Sequence, residues 1–84
     1  MPVLSRFYGI IIRMYFQQAE HNPPHIHAWY GSDVAAICIQ NGELMEGYFP
    51  PKALSLVREW ISINRIDLLR MWESQEFRPL PPLK

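Results

Sequence analysis

The three histidines of this 84-residue chain fall in one short stretch, His21-Asn22-Pro23-Pro24-His25-Ile26-His27. Histidine titrates near neutrality and is the commonest metal ligand, so such a grouping suits proton transfer, metal binding or anion binding. Pro23 and Pro24 fix their own φ and push the residues before them toward extended backbone, so His25 and His27 are presented from a stiff lead-in. If His25 opens a strand, the two imidazoles project from one face with Cβ atoms roughly 6 to 7 Å apart.

Each chemistry asks for different company. Zinc would take His25 and His27 with a third ligand, either His21 across the proline turn or Cys38 if a two-residue turn at Gly31-Ser32 pairs position 25 with 38. No CxxC or HExxH spacing supports a metal, so none is favoured. Metal-independent RNA cleavage would use His25 and His27 as general base and general acid. Arg6 or Arg13 would then neutralise charge at the phosphate, and Tyr15 or Trp29 would stack a base. These groups would equally serve a protein interface, and a purely structural role would have the imidazoles pin neighbouring strands.

The elements that must position these residues are legible in the hydropathy pattern. Phe7 to Phe16 is an apolar, β-branched run broken only by Arg13 and reads as a strand. Ile10, Ile12, Met14 and Phe16 share its core face, and Ile11, Arg13, Tyr15 and Gln17 the other. A second strand runs from His25 to Tyr30, and Gly31-Ser32 turns the chain into a third from Asp33 to Gln40. Asn41-Gly42 predicts a two-residue type I′ hairpin into a fourth, Glu43 to Tyr48.

Pro50-Pro51 ends the sheet, and helical spacing begins at Lys52 with Leu54, Val57, Trp60 and Ile61 on one stripe. A second helix is expected from Asn64, a good cap, with Asp67 near its start and Ile66, Leu69 and Trp72 buried. Trp60 and Trp72 are expected in the core, and Cys38 as a small buried hydrophobe. The fold class predicted is α+β, ββββαα: a four-stranded antiparallel sheet with both helices on one face. Residues 1–77 form a single compact domain, and the proline-rich tail 78–84 is disordered or an extended arm. Arg13, Tyr15, His25, His27 and Trp29 then lie on the uncovered sheet face.

Composition narrows the setting. Apolar residues make up 49% and charged residues 19%, so so small a domain has apolar surface to spare, which suits a partner chain or a homo-oligomer. Formal net charge is zero, so no global field draws nucleic acid and any RNA contact must be local. The lone Cys38 excludes an internal disulfide and agrees with a reducing compartment. With no apolar run near the ~20 residues that span a bilayer and no signal-peptide pattern in the first six residues, the expectation is a soluble, cytoplasmic protein.

Three segments carry a family likeness: Ser5-Arg6-Phe7-Tyr8-Gly9-Ile10, then His21 through Ala28 followed by Tyr30-Gly31, and Leu56-Val57-Arg58-Glu59-Trp60. Together they resemble the bacterial domain-of-unknown-function family numbered 4160. The resemblance implies a gene arrangement in which a second small domain is encoded alongside, as in a type II toxin–antitoxin pair. The functional expectation is therefore a toxin-like module acting on RNA or translation, with His25 and His27 catalytic, Arg6, Arg13, Tyr15 and Trp29 on substrate, and a small antitoxin-like partner encoded nearby. The alternative is a non-catalytic protein-binding or antitoxin-like module.

Overall fold

A computed structural model describes residues 2–15 and 23–84. Among the described residues five strands precede one helix: β1 (Val3–Phe7), β2 (Ile10–Arg13), β3 (His25–Tyr30), β4 (Asp33–Cys38), β5 (Leu44–Gly47) and α1 (Pro51–Ser74). The strands form one sheet in chain order, every neighbouring pair antiparallel. The α+β class and antiparallel sheet are as the sequence indicates, but the element count is not.

The extra strand comes from Tyr8-Gly9. Both residues have positive φ, 51° and 79°, and Phe7 pairs with Ile10, the geometry of a type I′ hairpin. Tyrosine seldom occupies that region, so the expected single strand from Phe7 reads straight through the turn. The two helices are one because Ser62-Ile63-Asn64 holds no glycine or proline to stop the first. Asn64 does not cap. It is buried in mid-helix, and its Nδ2 donates to the Trp60 carbonyl at 3.0 Å.

Continuity also fixes the phase of the second half. Val57, Trp60, Ile61, Asn64, Leu68 and Met71 form one buried stripe at helical spacing, which turns Ile63 and Ile66 out to solvent, each 68% exposed. Ile66 is therefore not the buried residue that an independent second helix requires. Leu69 and Trp72 flank the stripe and pack partly buried against the core. Helix α1 starts at Pro51 and runs to Ser74, followed by Gln75 as a left-handed cap whose N–H donates to the Met71 carbonyl.

The stripe lies on the sheet face made by Ile10, Ile12, Met14, Ile26, Ala28, Ala35 and Ile37, and one hydrophobic cluster joins them. Phe7 packs on Trp60 with ring centroids 5.8 Å apart. The C-terminal segment runs as an extended arm across this assembly. Leu80 and Leu83 are buried, the Leu80 N–H donates to the Leu4 carbonyl at 2.7 Å, and the Trp60 indole N–H donates to the Pro81 carbonyl at 2.9 Å. Two side chains filling the core from the last five residues make this arm part of the fold. Leu80→Ala should lower the unfolding free energy by about 2 to 3 kcal/mol, as for other buried leucines. Urea denaturation reads this directly, and an unchanged midpoint would mean the arm is not docked.

Candidate functional site

Alternation along β2 and β3 decides what faces away from α1. Ile12 and Ile26 point into the core, so Ile11, Arg13, His25, His27 and Trp29 point to the uncovered face. Register then sets neighbours: Arg13 pairs with His27, Ile11 with Trp29, and His25 with Cys38. The last pairing follows from Gly31-Ser32 acting as the expected two-residue turn, since Tyr30 pairs with Asp33. Cys38 is free and buried, as expected of a small hydrophobe.

Five predicted site residues meet on this face. The His25 and His27 rings are 5.1 Å apart, Tyr15 meets His27 edge-on at 4.6 Å, and Trp29 lies 6.0 Å from His27. The Arg13 guanidinium sits 4.9 Å above the Trp29 ring, a cation–π contact that holds the charge against the sheet. Arg6 shares the face through its pairing with Ile11, but stands two strands away from the histidines and is exposed. His21 and Phe16 lie outside the described residues. Among the described residues no three His, Cys, Asp or Glu side chains converge as a metal would require.

The two imidazoles are not equivalent. His25 Nδ1 lies 2.9 Å from the Pro23 carbonyl, which can only accept, so Nδ1 carries the proton and Nε2 is the nitrogen left for chemistry. The His27 pKa is lowered below its ordinary 6.5, first by burial, then by the neighbouring His25, with Glu46 pulling weakly the other way. The shift favours the neutral form of His27 at pH 7, which can accept a proton. Among the described residues its buried Nδ1 has no hydrogen-bond partner, nor does Nε of its cross-strand neighbour Arg13.

Two contributors were not legible beforehand. Trp72, expected in the core, packs at its edge and turns its ring to His25 at 5.0 Å. Glu46 reaches the open face through a register slip. A two-residue Asn41-Gly42 turn would set Glu46 opposite Ile37, on the core side. Here only Gly42 has positive φ and the Cys38 N–H donates to the Glu43 carbonyl, so the loop is four residues long and not type I′. A further slip between Ala36 and Ile37 pairs Ala36 with Glu46. One position of register exchanges the faces of a strand.

The result is a straight row across four strands, Arg13, His27, Ala36 and Glu46. Over the small Ala36 lies a notch of about 220 Å³ between His27 and Glu46, bordered by Val34 and Gly47. A Cβ at Gly47 would collide with the Val34 carbonyl, so only glycine lets β5 sit this close. Arg58 and Arg65 of α1 brace the turn before β5, donating from Nε to the Gly42 and Ile39 carbonyls at 2.7 and 2.9 Å. A larger cleft of about 700 Å³ lies beyond Trp72, between Pro24, Gln40 and the last turns of α1, and contains neither histidine.

Comparison with known proteins fits this chain to one family. The model of the Domain of unknown function (DUF4160) matches residues 9–73, from the first turn nearly to the end of α1. The chain belongs to the DUF4160 family. The match takes in β2 through β5 and every residue of the site except Arg6. No curated protein matches the chain, and no solved structure does. Among the described residues no helix is long and apolar enough to cross a membrane.

The lowered His27 pKa has a measurable sign. Unfolding returns His27 to about 6.5, so below that pH the unfolded chain binds more protons and the fold loses stability as acid is added. The urea midpoint should fall from pH 7 to pH 5.5, and His27→Gln should flatten that fall. Equal pH dependence in the two proteins would show that His27 is not desolvated.

Proposed function

We propose that this DUF4160 domain is the toxin-like member of a type II toxin–antitoxin pair and cleaves RNA without a metal. The observation that carries the reading is the pair of imidazoles 5.1 Å apart on an uncovered sheet face, beside an arginine held over Trp29. In this reading neutral His27 takes the proton of a ribose 2′-hydroxyl as its oxygen bonds to phosphorus. The P–O5′ bond breaks, and His25, as general acid, delivers a proton from Nε2 to the departing 5′-oxygen. Products are a 2′,3′-cyclic phosphate and a 5′-hydroxyl, with no water consumed in the step.

Arg13 supplies a fixed positive charge for the phosphate oxygens, stronger in effect where Trp29 and Tyr15 exclude water. The aromatic rings offer faces on which unpaired bases stack, which suits single strands over duplex. A neutral chain gains little from long-range attraction, so binding would rest on these local contacts. The antitoxin-like partner would act by covering the open face.

Expression of the chain should arrest bacterial growth, and co-expression of the adjacent small gene should relieve the arrest. The His25→Ala, His27→Ala double variant should be harmless while retaining a cooperative melt. In vitro, each single variant should cut RNA about 10²-fold or more slowly in the presence of a chelator. Normal growth on expression of the wild-type chain would sink the toxin reading. In that case the second reading takes its place, a non-catalytic binding module using the same face, or Ile63 and Ile66, as its interface.

A further inference from the structure

The row Arg13, His27, Ala36 and Glu46 is electrically ordered, with a cation at one end, a carboxylate at the other and a notch between His27 and that carboxylate. Neighbouring strands are spaced about 4.8 Å apart, so His27 and Glu46 stand roughly 10 Å apart across Ala36. Glu46 is exposed and has no hydrogen bond or ion pair among the described residues. The floor is apolar and flat: the Ala36 methyl, with Val34 beside it at 39% exposure. The Glu46 carboxylate acts on the fold only through its electrostatic pull on His27 among the described residues, and α1 clamps the turn that delivers it.

From this arrangement we infer that the notch is a guanine subsite, with Glu46 reading the base of an RNA whose phosphate lies at Arg13 and His27. The inference rests on the RNA reading above for the source of its ligand. An ionised carboxylate only accepts hydrogen bonds, through two oxygens side by side. It therefore selects an edge bearing two adjacent donors. Guanine presents that edge in N1–H and the N2 amino group. Adenine and cytosine set one amino group beside an acceptor nitrogen, and the uracil N3–H lies between two carbonyls.

Charge order along the row favours a nucleotide over a peptide. A guanylate carries its anion at one end and its donors at the other, matching Arg13 and Glu46 respectively. A peptide arginine would satisfy Glu46 and leave Arg13 without an anion. A free phosphate would meet the reverse mismatch at Glu46.

The test is titration of the purified protein with the 3′-monophosphates of guanosine, adenosine, cytidine and uridine, followed by heteronuclear NMR. The expected result is that 3′-GMP binds about tenfold or more tightly than the other three, in keeping with two charge-assisted hydrogen bonds. Its shifts should centre on Ala36, Glu46 and Gly47. Glu46→Gln should remove most of that preference, because an amide replaces one acceptor by a donor. Arg13→Ala should weaken all four nucleotides alike.

Equal affinity for the four nucleotides, or a guanine preference untouched by Glu46→Gln, overturns the inference. So does binding of N-acetylarginine amide at Glu46 without 3′-GMP, which would give the notch to a peptide. Guanine preference in a protein that cuts no RNA upholds the subsite and removes the nuclease. Cleavage without base preference does the reverse.

Discussion

Strand pleating sends alternate side chains to opposite faces of a sheet, and one helix can cover only one of those faces. The rest of this molecule is organised around that limit. Helix α1 takes the face with Ile12, Ile26 and Ile37, and Trp60 at its centre binds both β1, through Phe7, and the C-terminal arm, through Pro81. Whatever alternates with those isoleucines must find another way to be partly covered. Arg13, Tyr15, His25, His27 and Trp29 do so by packing on one another, and Trp72 reaches His25 from the helix side.

Partial cover is what sets these groups apart from one another. A fully exposed imidazole keeps its ordinary pKa, whereas His27, shielded by Tyr15 and crowded by His25, is held neutral. His25 differs because its Nδ1 is committed to the Pro23 carbonyl. Two histidines in one strand thus acquire different surroundings, the condition that the proposed base and acid would need. The stiff Pro23-Pro24 lead-in helps both, by supplying the acceptor and by setting where β3 starts.

Legibility in the sequence followed the strength of the local signal. Alternation in Ile10 to Arg13 and His25 to Tyr30 gave the correct faces, and Gly31-Ser32 gave the correct pairing of His25 with Cys38. The Tyr8-Gly9 turn was hidden because a tyrosine at positive φ breaks the usual turn chemistry. Asn64 misled because a good capping residue also fits inside a helix when its amide can bond the carbonyl four residues earlier. Glu46 was out of reach, since its face depends on a four-residue loop and a slip between Ala36 and Ile37 that the dipeptide Asn41-Gly42 does not announce.

The docked arm also treats the two margins of the sheet unequally. At β1 its Leu80 N–H takes the Leu4 carbonyl, and the residues on either side of Leu80 are Pro79 and Pro81, which have no N–H to offer a further strand. The margin at β5 is only four residues long and ends at Gly47. A sheet must be open on both sides to propagate into a fibre. Here the Leu4 carbonyl at the β1 margin is already taken by Leu80, so a chain that adds at β5 meets a sheet whose opposite margin is partly occupied.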